Sequence, residues 1–163
     1  MDTIDAVIEK AKAEIGTFPL PKKPSTFDKE YTFPEDVTHI TSTDLGQWLF
    51  KMAGYKGYAL KMLAYAEVEE SILKDVYSAR ISEEMAKIEA QKKMNKESMV
   101  GVILNEHEDV KKLRKRLIER SASVIKGKRL VEMYTMELDV ISREISRRGQ
   151  EMKNYPRGVL SQE

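Results

Sequence analysis

Seven apolar residues recur at a strict interval of seven in the last third of this 163-residue chain. They are Val110, Leu117, Val124, Val131, Leu138, Ile145 and Met152. Because seven residues make two turns at about 3.5 residues per turn, a series of this length is typical of a helix that supercoils with other helices. The pattern predicts a long coiled-coil helix, an architecture that usually presents surfaces for assembly instead of enclosing a catalytic pocket.

The composition also favours a helical chain of one domain's length. Charged residues make up 34% of the sequence and aromatic residues 7%, and there is no Cys. This balance is typical of long helices, and the lack of Cys suits a reducing compartment. No apolar run reaches the roughly 18 residues of a membrane span, and the N-terminus has no signal-peptide pattern. We therefore expect no membrane contact and a location in the cytoplasm.

Proline content separates an N-terminal part, 1–43, from a long helical part, 44–163. A first helix is predicted from Asp2 or Thr3 to about Ile15, with its apolar residues on one face. Four of the five prolines then fall between residues 17 and 43, where they exclude a regular helix. An extended arm, held down by its aromatic residues, is expected there.

Helical spacing of apolar residues returns after a capping-box pattern that begins at Asp44, and it lasts for about 50 residues. We place a reversal at 95–104 and a second capping box at Asn105, which opens the heptad helix that ends near Asn154. The predicted fold is all-α: a long antiparallel helical hairpin (coiled coil) with a short N-terminal helix and a proline-rich arm.

The apolar stripe of the heptad helix is wider than a seam between two helices requires, since Ile118 and Ile125 lie beside the seven-residue series. One interpretation is a homo-oligomer of hairpins. Its oligomerisation seam would be Leu117, Val124, Val131, Leu138 and Ile145. The alternative is a monomer in which the first helix and the arm cover the surplus stripe.

Residues 110–129 carry nine basic residues and one acid, a local net charge of +8 in a chain of net charge +1. We call this set the basic block: Lys111, Lys112, Arg114, Lys115, Arg116, Arg120, Lys126, Lys128 and Arg129. Such a density of charge repels itself unless something anionic neutralises it, and a nucleic-acid backbone is the common partner. The alternative is that individual cations pair with acids of a neighbouring helix. Candidate acids are Glu67, Glu69, Glu70, Glu83 and Glu84.

A second cluster, Arg143, Arg147 and Arg148, lies on one helical face and is added to the predicted nucleic-acid-binding residues. No aromatic residue occurs between Val110 and Val131, so base stacking would have to come from elsewhere and phosphate contacts should dominate. Four aromatic residues of the preceding helix have two possible roles: a platform on which bases stack, or packing in the protein core. These are Trp48, Tyr55, Tyr58 and Tyr65.

The sequence offers no catalytic motif. His107-Glu108 is not followed by a second His at zinc-protease spacing, and Gly127-Lys128 is not followed by Ser or Thr as in a phosphate-binding loop. The adjacent acids of the predicted second helix, Glu69-Glu70 and Glu83-Glu84, point in different directions and do not form an acid/base pair. We therefore expect no enzyme activity, no catalytic residue, no metal site and no cofactor.

Alkyl and charged residues alternate from Trp48-Leu49 to Tyr77-Ser78-Ala79-Arg80, and a second helical stretch runs from Leu138 to Arg143 and continues to Gly149 and Lys153. The first stretch resembles the long helix, and the second resembles the C-terminal helix, of the phage recombination mediators of the UvsY type. Together these stretches cover about half of the chain.

The resemblance implies a non-enzymatic accessory protein of DNA recombination, repair and replication. Such proteins form ring-like homo-oligomers, bind single-stranded DNA and load a RecA-like recombinase onto strands coated by a single-strand-binding protein. The family's basic cluster in the first long helix corresponds here to Glu69, Glu70, Ser71 and Leu73, so the DNA contacts are expected in the basic block instead. The alternative is a structural or adaptor coiled coil, for example in phage assembly, with an acidic protein partner.

Overall fold

A computed structural model describes residues 3–17, 20–25, 33–89 and 94–154. Four helices contain most of them, and none of the described residues lies in a strand. The helices are α1 (Ile4–Gly16), α2 (Ser42–Glu89), α3 (Lys96–Glu106) and α4 (Glu108–Asn154). The prediction of an all-α protein is confirmed.

The first helix has hydrogen-bonded ends. The Thr3 hydroxyl accepts a hydrogen bond from the Ala6 backbone N–H at 3.3 Å, and Asp5 lies in the first turn, where the helix dipole favours an acid. At the other end, the Thr17 hydroxyl donates to the Glu14 carbonyl oxygen at 2.7 Å. The helix predicted from Asp2 or Thr3 is confirmed, and it includes Gly16 as its last residue.

The second helix begins two residues before Asp44, where the predicted capping box would have started it. The Thr41 hydroxyl accepts from the Asp44 backbone N–H at 3.1 Å and donates to the Asp44 carboxylate at 2.7 Å. Thr41 is therefore the capping residue, and Asp44 closes the box three residues later. The predicted start was wrong because Asp fits either the first or the last position of such a box.

Residues 96–106, which include most of the predicted reversal at 95–104, form the helix α3. The Asn95 side chain accepts from the Ser98 backbone N–H at 2.8 Å and caps this helix. Gly101 lies inside the helix, although Gly is a poor helix former. Two apolar side chains of α3, Met99 and Ile103, are buried, and this burial stabilises the helix in spite of the glycine.

A single residue, His107, separates α3 from α4. Its backbone is extended, with φ −112° and ψ 96°, and its carbonyl oxygen accepts from the Lys111 backbone N–H at 3.1 Å. The capping box predicted at Asn105 is wrong, because that residue lies in the last turn of α3. The long heptad helix therefore begins at Glu108, later than predicted, and it ends at Asn154 as predicted.

Contacts divide the chain into two units, each assembled from separate stretches of sequence. The first unit contains Met1–Leu20 and Lys61–Lys128, and the second contains Pro21–Leu60 and Arg129–Glu163. In the first unit α1 packs with the later part of α2, and in the second unit the chain after Pro21 packs with the beginning of α2.

In the first unit, α1, α2 and α4 meet at a core of three buried side chains, Ile8, Leu73 and Leu113. Half-buried apolar residues surround them, including Leu117 of α4. The Glu67 carboxylate bonds Lys128, and the later residue Arg80 bonds the earlier residue Asp109. A residue that lies later on α2 thus pairs with a residue that lies earlier on α4. The two helices therefore run antiparallel within this unit.

In the second unit, the beginning of α2 packs against the end of α4 around six buried residues. They are Leu45, Met52, Tyr55, Ala59, Tyr134 and Ile141. The chain before α2 contributes Phe33, Val37 and Ile40 to the edge of this core. Further upstream, the Pro21 ring lies against Gly57, so closely that a Cβ on that glycine would be 3.2 Å from the Pro21 Cγ. The arm aromatics Phe18, Phe27 and Tyr31 lie outside the described residues.

Burial along α4 follows the seven-residue series only at first. Val110 and Val124 are buried, but Ile145 is 38% exposed and Met152 is 76% exposed. Towards the C-terminus the buried positions lie three residues later in the heptad, at Tyr134 and Ile141. A helix with about 3.6 residues per turn drifts by roughly 20° per heptad relative to a seven-residue repeat, which accounts for this shift.

Candidate nucleic-acid interface on α4

All residues of the basic block lie on α4, and all except Arg129 belong to the first unit. Arg116 and Arg120 are half-buried, whereas the other members are exposed. The block can therefore be divided by what each cation contacts: an acid of another helix, an acid of α4 itself, or no acid among the described residues.

Three members of the block bond acids of other helices in the first unit. The Arg116 guanidinium lies 2.8 Å from Asp5 of α1, and the Arg120 guanidinium lies 2.8 Å from the buried carboxylate of Glu69. The Lys128 ammonium lies 3.1 Å from Glu67. The alternative of interhelical ion pairs is thus confirmed for these cations, and two of the partners are acids named from the sequence.

Two other lysines are held only loosely by acids of α4. The Lys111 ammonium is 3.8 Å from Glu108, and the Lys115 ammonium is 3.9 Å from Glu119. Both lysine side chains are at least 65% exposed. Exposed pairs of this kind contribute about 0–1 kcal/mol, so they leave the lysines available to an external anion.

The remaining members of the block in this unit, Lys112, Arg114 and Lys126, are exposed and form no ion pair with any described residue. Nearby on the outer face of α4, Ile118 is 60% exposed and Ile125 is 61% exposed. Both isoleucines belong to the surplus stripe, and the described residues leave them exposed. The first unit therefore presents a mixed surface of unpaired cations and exposed isoleucines.

The basic residues in the second unit differ in how available they are to an external anion. The Arg129 guanidinium bonds Glu132 at 2.7 Å on the same helix, while Arg143 is exposed and forms no ion pair within the described part of the chain. Arg147 bonds Glu144 and Glu151 of α4 and stays half-exposed. Of the arginines in the predicted second cluster, Arg143 is the most available to an external anion.

Arg148 has a different role from the one predicted for it. Its guanidinium bonds the Glu144 carboxylate at 2.7 Å and donates to the backbone carbonyl oxygens of Thr38, at 2.9 Å, and Val37, at 3.3 Å. It therefore ties α4 to the chain that precedes α2. Sequence reasoning missed this role because its only local signal is an acid four residues earlier.

Glu144 is the most strongly perturbed acid of the described residues. Hydrogen bonds from Arg147, and then from Arg148, lower its pKa from 4.5 to about 2, although burial opposes the shift. The same contact with Glu144 raises the pKa of Arg147. The charged form of Glu144 is therefore strongly favoured in the folded state.

A similar group of charges lies in the first unit around the buried carboxylate of Glu84. Lys87 bonds it at 2.7 Å, and His107 lies 3.6 Å away. The hydrogen bond from Lys87 is the main cause that lowers the pKa of Glu84. Glu84 and Lys87 both belong to α2, and the side chain of His107, at the junction between α3 and α4, lies beside this pair.

The predicted oligomerisation residues are placed mainly inside the chain. Val124 is buried, Leu117 packs in the first-unit core, and Val131 and Leu138 pack against the second-unit core. Only Ile145 is exposed. Apolar side chains that remain exposed on α4 lie on other faces of the helix. They include Ile118, Ile125, Leu130, Met133, Met136 and Val140.

The described residues contain no group of three His, Cys, Asp or Glu side chains that could hold a metal ion. Among the described helices, none is both long and apolar enough to cross a membrane. Comparisons of the chain with family models, curated proteins and solved structures identified no match.

Proposed function

We propose that this chain is a recombination mediator that binds the backbone of single-stranded DNA and promotes loading of a RecA-like recombinase. The observation that carries the binding step is a set of exposed cations, Lys112, Arg114 and Lys126, that form no ion pair with any described residue. They lie beside the loosely held Lys111 and Lys115. Phosphates would neutralise these charges without reading the sequence.

The further parts of the proposal rest on the resemblance to the UvsY-type mediators. In these parts, the chain forms a homo-oligomer, has a recombinase and a single-strand-binding protein as partners, and has no enzyme activity. It acts in the cytoplasm, which is that of the host if the chain is phage-encoded. The proposed architecture is an antiparallel coiled-coil hairpin with a proline-rich arm, which the antiparallel contacts within each unit support. Many weak phosphate contacts, repeated over the copies of an oligomer, would give tight yet releasable binding.

The test is DNA affinity as a function of salt for two triple variants of equal charge. Lys112→Ala, Arg114→Ala and Lys126→Ala remove the unpaired cations of the block. Each phosphate contact on a single strand contributes roughly −0.7 to the log–log salt slope, so this variant should lose about two units of slope and bind unrelated sequences equally weakly.

The matched control replaces three exposed lysines outside the block that also form no ion pair among the described residues: Lys10, Lys74 and Lys153. It changes the net charge by the same amount, so it should retain most of the parent's slope. Equal losses in the two variants would show a general charge effect and would contradict a binding site at the block.

The second candidate function is an adaptor that binds an acidic protein partner. The exposure of Ile118 and Ile125 beside the cations favours it, because apolar contacts are typical of protein interfaces and contribute little to phosphate binding. The salt experiment separates the candidates. A parent protein that does not bind oligonucleotides even at low salt would favour the adaptor and exclude the mediator.

A further inference from the structure

A shallow cavity opens in the second unit beside the first turns of α2. Its apolar wall and its polar rim come from the start of α2 and from the chain that precedes it. The wall contains Trp48, Ile40 and Pro34, and the rim contains His39, Thr41, Asp44, Gln47 and Lys51. The Asp44 carboxylate accepts a hydrogen bond from the Thr41 hydroxyl at 2.7 Å. A flat aromatic wall next to amide and cationic side chains is the combination that proteins use to hold a single nucleobase.

The indole of Trp48 is held in place from behind. The ring of Phe33 meets it edge-on, with 5.9 Å between the ring centroids and an interplanar angle of 75°. Trp48 also packs against the buried core of the second unit and is half-buried. Because the ring is fixed before a ligand arrives, stacking on it would cost little conformational entropy.

One face of this indole already contacts a cation. The Lys51 ammonium lies 4.3 Å from the Trp48 ring centroid, so this face is reachable from the cavity. A base stacked on an aromatic ring is generally held more strongly than an exposed ammonium, and a lysine side chain is long and flexible. A base can therefore replace the ammonium, which can then reach the neighbouring phosphate.

We infer that this cavity binds one unpaired nucleobase of a single strand, stacked on Trp48. The Gln47 amide, with both donors and an acceptor, bonds the polar edge of the base, and Lys51 neutralises the adjoining phosphate. The inference rests on the proposed binding of single-stranded DNA and supplies the stacking that the basic block lacks. Duplex DNA is excluded because its bases are already stacked and paired.

The test uses Trp48 itself, since it is the only Trp in the chain and its fluorescence therefore reports on this cavity alone. The unmodified protein is titrated with oligothymidylate of about 20 nucleotides and with an abasic strand of the same length and phosphate number. Oligothymidylate should quench the fluorescence and bind more tightly, whereas the abasic strand should bind without quenching.

Variants then assign the quenching to the cavity. Gln47→Ala and Lys51→Ala should each weaken oligothymidylate binding by about fivefold, as expected for one lost hydrogen bond or charge contact. Lys56→Ala, on the same helix but away from the cavity, is the control for charge and should change little. Phe50→Ala tests a rival stacking site, since Phe50 is 80% exposed and does not line the cavity.

The outcomes separate this inference from the proposed function. If both strands bind equally and Trp48 fluorescence is unchanged, the nucleobase site is wrong, but the backbone-binding function stands. If Phe50→Ala abolishes the preference for oligothymidylate while the cavity variants retain it, the bases stack on Phe50 and the inference is again wrong. If neither strand binds, both proposals fail.

Discussion

At the scale of single residues, the charge on α4 has two different uses. Arg116, Arg120 and Lys128 hold the first unit together through acids of other helices, whereas Lys112, Arg114 and Lys126 have no described acidic partner. The sequence predicted the block but could not separate these sets. Which cation meets an acid depends on packing with residues as far away in sequence as Asp5, which lies 111 positions before Arg116.

The clearest prediction at this scale concerns Glu144 and acid. Because its folded pKa is about 2 and its ordinary value is 4.5, its charged form contributes stability that is fully present above about pH 4.5. That contribution is lost as the pH falls towards 2. Glu144→Gln should lower the urea midpoint at pH 6, and the difference from the parent should disappear progressively between pH 4.5 and 2.

Glu89→Gln provides the comparison, because Glu89 is exposed and forms no ion pair among the described residues. This variant should follow the parent at every pH. A constant difference between parent and Glu144→Gln across the whole range would show that the arginine contacts do not stabilise the ionised carboxylate.

At the scale of helices, periodicity predicted α1 and α4 well and failed between α2 and α4. The long heptad series leaves little choice for α4, and a threonine cap with apolar residues on one face defines α1. The helix α3 was not predicted in the segment 95–104, which contains Gly101, a poor helix former. Its neighbours Met99 and Ile103 are buried in the folded chain, and that tertiary stabilisation has no local signature.

Two glycines of α2 allow a matched prediction at this scale. A Cβ at Gly46 would meet nothing within 4 Å, whereas a Cβ at Gly57 would lie 3.2 Å from Pro21. Gly46→Ala should therefore gain the full helix propensity difference, about 1 kcal/mol in the free energy of unfolding. Gly57→Ala should gain less or lose stability, because Pro21 must move. Urea denaturation of both variants measures the difference, and equal gains would mean that Pro21 does not rest on α2.

At the scale of the whole molecule, the wide apolar stripe recognised in the sequence is divided between residues packed in the cores and residues exposed on the surface. Part of it packs against the cores of the units through Leu117, Val131 and Leu138. The rest, including Ile118 and Ile125, stays exposed on α4. The proposed homo-oligomer would therefore use these outward-facing residues, and the seven-residue series is mostly occupied within the chain. Periodicity alone could not show this because it gives the faces of a helix and not their partners.

We therefore expect Ile118→Ser with Ile125→Ser to weaken assembly while the units remain folded, because both side chains lie outside the cores. Light scattering should show a parent larger than a monomer and a smaller double variant. The same samples should differ in how far they shorten the lag of a RecA-like ATPase on DNA coated with single-strand-binding protein. Met152→Ser, at a position that is 76% exposed, is the control. A monomeric parent at micromolar concentration would contradict the oligomer.

The assembly of each unit from two distant stretches has a practical consequence for dissecting the protein. During synthesis, Ile8 and Leu73 have been made well before Leu113, so the first core cannot close until most of the chain exists. The second core likewise waits for the residues after Arg129. Any single cut between Ile8 and Ile141 separates residues of one core or both. Truncated fragments would therefore misreport the proposed binding regions, which should be mapped by point substitution in the uncut chain.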